Sequence, residues 1–294
     1  MHKNGLEPYL DTLLNTSELR NDCNIIITKC SAKDYISNVD PALENQVARY
    51  YESSVNSAKH TGYATNVTLF EFYTKMKDSF SQAYTVLGTT TVEDSENSDV
   101  ETNGNYIAGQ NPISDKDKIE NMGLAVFNND KLIGELTGLD TICHLMIKND
   151  IHSCVMSVPS PNDNNSYIDI LLTSEKNTQC GVLYENNVPN ITVNIHLIAQ
   201  GLSLDNTADY STDEELLKIE NEASNYIKEQ VLNYLYKTSH VLNSDICGFG
   251  KYTLKNYKTI QEWENSKWLE NYKNANFNVN VHLKLKSGNL FNKS

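Results

Sequence analysis

The clearest hydrophobic patterns lie near the C-terminal end of the chain, where a helical period is followed by strict alternation. Between Ser211 and about His240 the apolar positions recur every three or four residues; they are Leu216, Ile219, Ala223, Ile227, Val231, Tyr234 and Leu235. Ser211, with Glu214 three residues later, has the pattern of a capping box and predicts where one long helix begins. Over residues 277–286 every second residue is apolar, which predicts a strand with one buried face and one solvent-exposed face.

Several shorter elements are predicted before the long helix. Residues 124–127 and 132–136 form a hairpin around an Asn-Asn-Asp-Lys turn, because Asn and Asp tolerate left-handed backbone geometry. A short helix over about 140–147 follows, capped by Thr137 or Asp140. Three strand-like runs come next, at 154–158, 168–173 and 191–199. We expect these runs and the closing strand to form a small, mostly antiparallel sheet with the long helix on its inner face.

The first part of the chain has a mixed pattern. It predicts strands at 24–28 and 84–87 and helices at 42–59 and 68–79. From about 92 to 118 the sequence is dominated by Asn, Asp, Glu, Ser and Gly, which is typical of a linker or an exposed loop. Its acidic clusters lack the spacing of a calcium-binding EF-hand loop, so we favour a solvated linker over a calcium site.

These elements predict an α+β protein with mixed and antiparallel sheets and a C-terminal antiparallel sheet covered by one long helix. The predicted division is a truncated N-terminal α/β domain at 1–92, an acidic, Asn-rich linker or loop at 93–117, a middle hairpin-plus-helix region at 118–153 and a C-terminal domain at 154–294. The full length of 294 residues is sufficient for such a multi-domain arrangement.

Charge limits the classes of partner. The chain has 38 acidic and 24 basic residues and a formal net charge of −14. Phosphate binding requires clustered Lys and Arg, so nucleic acid is disfavoured. Adsorption to anionic lipid is disfavoured for the same reason. The acidic residues are best explained as a solvated surface.

No set of residues has the spacing of a catalytic or metal site, and we predict a non-enzymatic protein with no cofactor. The seven histidines are scattered, and no Gly-x-Ser-x-Gly motif is present. Gly248-Phe249-Gly250 lacks the third glycine and the lysine of a phosphate-binding loop. His196 and His282 fall on the polar phase of alternating strands, where solvent exposure is favoured over the alternative of a metal-binding pair.

The six cysteines include no Cys-x-x-Cys pair and no zinc spacing. Cys23 and Cys30 would face opposite sides of one strand, which is poor geometry for a disulfide. Cys143 and Cys154 could meet only if the chain between them folds back. We expect buried free thiols that behave as small apolar residues.

A compact signature, Asp245-Ile246-Cys247-Gly248-Phe249-Gly250, lies between the long helix and the closing strand. Its glycines are expected to lead the chain out of the helix with positive φ while Phe249 packs on the core; partner binding is the alternative. Trp263 and Trp268 follow, five residues apart. On a single helix they would diverge, which predicts one core residue and one surface anchor.

The order of these features resembles the C-terminal region of the spore germinant receptor C-subunits, the Ger(x)C spore germination lipoproteins. The residues at the family's signature positions are Glu222, Gln230, Asp245, Gly248, Phe249, Gly250, Trp263, Trp268 and Gly288. Upstream, the segments at 123–127 and 130–136 resemble the family's hairpin motif. The Gly-Leu-Glu-Pro-Tyr-Leu-Asp segment at 5–11 resembles its N-terminal motif, so the likeness covers nearly the whole chain.

The resemblance implies a non-enzymatic C-subunit of a nutrient germinant receptor, which takes part in receptor assembly and signalling in spore germination. Its implied partners are a membrane-spanning A-subunit and a transporter-like B-subunit. Its implied location is the outer face of the spore inner membrane, as a lipoprotein. Because Met1 leads directly into the N-terminal motif without a signal peptide or lipobox, we expect either an N-terminally truncated fragment of a member or the product of a shortened gene. The alternative is an extracytoplasmic solute- or cell-wall-binding module that uses the polar face of the C-terminal sheet.

Overall fold

The computed structural model of the chain describes residues 5–16, 20–37, 60–90, 104–110, 119–163, 166–203 and 212–286. These segments contain eight α-helices and eight strands, and the strands form two four-stranded sheets. The helix predicted at 42–59, most of the predicted linker, Ser211 and Gly288 lie outside the described residues.

The first sheet has the strand order β1-β2-β3-β4. Its strands are β1 (Ile26–Thr28), β2 (Tyr84–Thr90), β3 (Ile119–Asn128) and β4 (Lys131–Leu136). β1 is parallel to β2, and the other two pairings are antiparallel. β3 and β4 form the predicted hairpin, and Asn129 adopts a positive φ of 51° in its turn.

Four helices accompany this sheet: α1 (Glu7–Leu14), α2 (Ala32–Ser37), α3 (Leu69–Lys77) and α4 (Gly138–Lys148). Thr68 and Glu71 form a capping box at the start of α3, and the ring of Phe72 packs edge-on against Phe127 at 5.0 Å. The two caps proposed for α4 act together, because Thr137 and Asp140 form a second capping box.

The second sheet has the order β5-β6-β7-β8. Its strands are β5 (Cys154–Pro159), β6 (Tyr167–Glu185), β7 (Val188–Ser203) and β8 (Asn276–Leu285). The first three are antiparallel, as expected, but β8 runs parallel to β7. About seventy residues, including the long helix, separate these two strands, and such a crossover returns the chain to the end of the sheet from which β7 began.

The hairpin of β6 and β7 is much longer than the strand-like runs that predicted it. Its two-residue turn is Asn186-Asn187, with φ values of 52° and 64°. Two successive positive φ angles are typical of the type I′ turn, whose twist matches that of the paired strands. This Asn-Asn pair is typical of a hairpin turn, but the predicted strands did not include a hairpin around it.

The long helix α5 (Asp213–Tyr236) begins one residue later than predicted. Thr212 is its N-cap and accepts a hydrogen bond from the backbone N–H of Glu215. The predicted apolar stripe is buried, except that Leu216 is only half-buried. The stripe joins a hydrophobic core that includes buried residues of both sheets. A π-helical turn (Lys237–Val241) continues the helix.

Short helices connect this turn to β8. They are α6 (Gly250–Thr253), a 3-10 turn (Leu254–Asn256), α7 (Ile260–Asn265), α8 (Trp268–Asn271) and a second 3-10 turn (Tyr272–Asn274). The signature lies at the start of this segment, between the π-helical turn and α6.

Candidate functional site

Asp245 is the centre of the signature and is fully buried. Its Oδ1 accepts a hydrogen bond from the N–H of Gly248 at 2.8 Å, and its Oδ2 accepts one from the N–H of Gly250 at 3.0 Å. Oδ2 also accepts the indole N–H of Trp268 at 2.8 Å. One carboxyl group therefore closes its own turn and fixes a helix 23 residues further along the chain.

The two signature glycines serve different purposes. Gly248 adopts a φ of 76°, which favours glycine because a side chain is strained there. Gly250 begins α6 and does not have the positive φ that was expected of it. A Cβ at this position would lie 2.6 Å from the carbonyl oxygen of Phe80 and 2.7 Å from the Trp268 ring. Close packing therefore requires glycine at position 250.

The expectation of one core tryptophan and one surface tryptophan is wrong. Trp263 is 3% exposed and Trp268 is 2% exposed. They lie on separate helices, α7 and α8, because Lys267 between them is left-handed with a φ of 50°. The indole N–H of Trp263 donates to the hydroxyl of Thr253 at 2.6 Å, so both indole donors are bonded inside the protein.

The signature also holds the two sheets together. The N–H of Gln82 donates to the carbonyl oxygen of Asp245 at 2.9 Å, just before β2. The hydroxyl of Ser244 donates to the carbonyl oxygen of Phe127 in β3 at 2.9 Å. The ring of Phe80 stacks on Trp263 with centroids 4.2 Å apart. Residues in or next to the first sheet thus contact the segment that leads into β8, the last strand of the second sheet.

Phe249 is buried and stacks on Tyr272 with ring centroids 6.4 Å apart. Glu222 and Gln230 are half-buried on α5, and neither hydrogen bonds to the described residues of the signature. Of the nine residues at the family's signature positions, the structure assembles six into one packed cluster and leaves Glu222 and Gln230 apart, while Gly288 lies outside the described residues.

A second polar cluster lies in the core and was not predicted. His144 Nδ1 is 2.8 Å from the Tyr234 hydroxyl, which is 3.1 Å from Cys247 Sγ. His144 Nε2 has no hydrogen-bond partner among the described residues. The three residues come from α4, α5 and the signature, and 90 positions separate His144 from Tyr234. No local sequence pattern could have indicated their contact.

Burial keeps this second cluster uncharged. It lowers the pKa of His144 well below its usual value, and the positive charges of Lys148 and Lys75 lower it further. Burial raises the pKa of Tyr234 and of Cys247. These three neutral groups are all buried. The geometry is that of a packed hydrogen-bonded network.

The polar face of the second sheet carries matched side chains across β7 and β8. The amide of Asn280 donates to Asn194 at 2.9 Å, and the rings of His196 and His282 stack with centroids 4.8 Å apart. These side chains thus pair with each other across the two strands. Among the described residues, no group of three or more His, Cys, Asp or Glu side chains is placed to hold a metal ion.

All six cysteines are free thiols in the structure. Burial raises the pKa of Cys154 to about 12 and that of Cys180 to about 11, so both stay protonated at neutral pH. Within the described segments, no helix combines the length and apolar character needed to cross a membrane.

Comparison with known families decides the relationship. The family described as Spore germination B3/GerAC like, C-terminal, matches residues 122–288. The family described as Spore germination protein N-terminal domain matches residues 1–89. The first match alone covers more than half of the chain. The chain belongs to the spore germination B3/GerAC-like family. The resemblance inferred from the ordered motifs is confirmed.

Among solved structures, the chain is similar to one titled "Crystal Structure of the GerBC protein". The similarity has a TM-score of 0.62 at 15% identity and covers 98% of this chain and 76% of that one. At this identity the likeness shows a shared fold, and it confirms the predicted α+β class. A search of curated proteins gave no match.

Proposed function

We propose that this chain is the non-enzymatic C-subunit of a nutrient germinant receptor and takes part in receptor assembly and signalling in spore germination. The observation that carries the proposal is the pair of family matches, which cover an N-terminal segment and a C-terminal segment in the family order. The similarity of fold to the GerBC protein over nearly the whole chain supports it.

The geometry of the signature supports a role through contact rather than chemistry. Its six clustered residues are buried, and the hydrogen-bonding groups of Asp245, Trp263 and Trp268 are directed at partners inside the protein. The second polar cluster, around His144 and Tyr234, is equally closed to solvent.

The proposed partners are the membrane-spanning A-subunit and the transporter-like B-subunit of the receptor. The proposed location is the outer face of the spore inner membrane, through an N-terminal lipid anchor. Co-purification after cross-linking of spore membranes, with the chain carrying an affinity tag, would identify these partners. Recovery of the chain with neither membrane subunit, from spores that contain both, would contradict the assembly role.

The decisive test of the role is deletion of the gene in a strain that has no paralogous receptor. The deletion is expected to abolish nutrient-triggered germination, measured as release of spore solutes, and to leave spore yield unchanged. Reintroduction of the wild-type gene should restore the response. A trigger that bypasses nutrient receptors provides the control for spore integrity. Normal nutrient germination in the deletion strain would refute the proposal.

A further inference from the structure

A surface cavity of about 550 Å³ lies beside the turn of the β6–β7 hairpin. Its described lining residues are Leu183, Tyr184, Asn187, Asn256, Tyr257, Ser266 and Asn271. One wall is the end of the hairpin, and the other is the segment from the first 3-10 turn to the end of α8. The volume falls within the range of ligand-binding pockets.

The signature fixes the second wall. The bond from the Trp268 indole to Asp245 holds α8, whose last residue is Asn271. The bond from the Trp263 indole to Thr253 ties α7 to the end of α6, immediately before the 3-10 turn that contains Asn256. Buried anchors of this kind keep a binding wall in one conformation, which reduces the entropy lost on binding.

The two walls also meet directly, because the rings of Tyr184 and Tyr257 pack edge to face with centroids 6.4 Å apart. Asn271 donates to the carbonyl oxygen of Ser266 at 2.7 Å, which braces the far side of the cavity. The lining thus combines two aromatic rings with amide and hydroxyl groups.

The described lining residues carry no charged side chain, and this property indicates which class of ligand the cavity would bind. Burial and a hydrogen bond with Tyr257 raise the pKa of Tyr184, so its phenol is neutral at physiological pH. An amino acid or a nucleotide would bring charged groups to a surface that has no ionic partner among its lining residues. Sugar hydroxyls both donate and accept, as amide side chains do, and the C–H face of a sugar packs on aromatic rings.

We propose that this cavity binds a neutral saccharide, with the sugar face against Tyr257 and its hydroxyls bonded to Asn256 and Asn271. The inference does not depend on the receptor role, since it concerns the lining of one cavity.

The test is a calorimetric or saturation-transfer titration of the full chain. The probes are glucose and N-acetylglucosamine, compared with cationic glucosamine and zwitterionic alanine. We expect the neutral sugars to bind with millimolar Kd and the charged probes to bind at least tenfold more weakly. Absence of neutral-sugar binding by folded chain, or equal binding of the charged probes, would overturn the proposal.

Variants locate the site. Asn256→Ala removes an exposed amide and should weaken sugar binding about three- to tenfold, the effect of one hydrogen bond. Leu183→Lys, on a side chain that is 61% exposed, places a cation in the cavity without disturbing the core and should also weaken binding. Asn278→Ala on β8 is the matched control outside the cavity and should have no effect. Equal effects of Asn256→Ala and Asn278→Ala would exclude this cavity as the site.

Discussion

Replacement of Asp245 should destabilise the protein strongly, because three donors depend on its carboxyl group. They are the N–H groups of Gly248 and Gly250 and the indole of Trp268, at 2.8, 3.0 and 2.8 Å. A buried donor left without a partner costs about 1–3 kcal/mol. Because the costs of three neighbouring donors do not add in full, Asp245→Ala should lower the free energy of unfolding by about 3–6 kcal/mol. Asp245→Asn retains one carbonyl oxygen and should cost about 1–3 kcal/mol, since one donor then faces an amide NH₂.

The same carboxyl group should make stability depend on pH. Burial raises the pKa of Asp245 to about 6, against the opposing effect of hydrogen bonds from Trp268 and the signature backbone. The folded protein therefore holds this proton more tightly than the unfolded chain does. Its contribution to stability is complete below the unfolded pKa and is lost as pH rises through about 6. Acidification from pH 7.5 to pH 5.5 should return about 1 kcal/mol through this group alone.

Urea unfolding at these two pH values separates this effect from the general response of an acidic protein. Wild type, Asp245→Asn and Glu264→Gln would be compared, where Glu264 is an exposed carboxylate on α7 that serves as the matched control. The gain on acidification should shrink by about 1 kcal/mol in Asp245→Asn and should persist in Glu264→Gln. An undiminished gain in Asp245→Asn would refute the assignment to Asp245. A cost below about 1 kcal/mol for Asp245→Ala would refute its role as the anchor.

Two further substitutions test the packing of the signature and the buried network around His144. Gly250→Ala should lower the free energy of unfolding by about 1–3 kcal/mol, because its Cβ would enter the contact with Phe80 and Trp268. Gly181→Ala is the control, because a Cβ at this position has no neighbour within 4 Å, and it should change the free energy of unfolding by less than about 0.5 kcal/mol. Equal effects of the two substitutions would contradict the steric explanation. Tyr234→Phe should lower the free energy of unfolding, measured in urea, by about 1–3 kcal/mol, because His144 Nδ1 loses its closest hydrogen-bond partner. An unchanged urea midpoint would show that the buried network contributes nothing to stability.

Local patterns predicted the elements whose causes are local. The stripe on α5 has a hydrophobic period that depends only on neighbouring residues, and the capping box of Thr137 and Asp140 is complete within four positions. The alternation of β8 likewise identified a strand with a solvent-exposed face. An alternating pattern does not indicate the direction in which a strand runs, however. The parallel pairing of β8 with β7 follows from the long connection between them, which crosses over the sheet.

The site was harder to predict because its contacts are long-range. The spacing of Trp263 and Trp268 predicted one shared helix, but the left-handed conformation of Lys267 places them on two helices. Lysine rarely adopts this conformation, so the residue itself gives little indication that a helix ends there. The steric need for glycine at position 250 arises from Phe80, which lies 170 positions earlier in the chain. The spacing of the signature identified the family, but the function of each residue in it required the tertiary contacts.

The burial of the signature determines how germination phenotypes of variants must be interpreted. Asp245→Ala would disturb both sheets through Gln82 and the short helices before β8, so a loss of germination in that variant would reflect misfolding as readily as lost signalling. Exposed positions separate these causes. A variant such as Leu183→Lys, with an unchanged urea midpoint, that reduced the nutrient response would place a working surface at the β6–β7 hairpin. A full response in this variant, together with weakened sugar binding in vitro, would show that sugar binding in the cavity is not needed for the proposed signalling role.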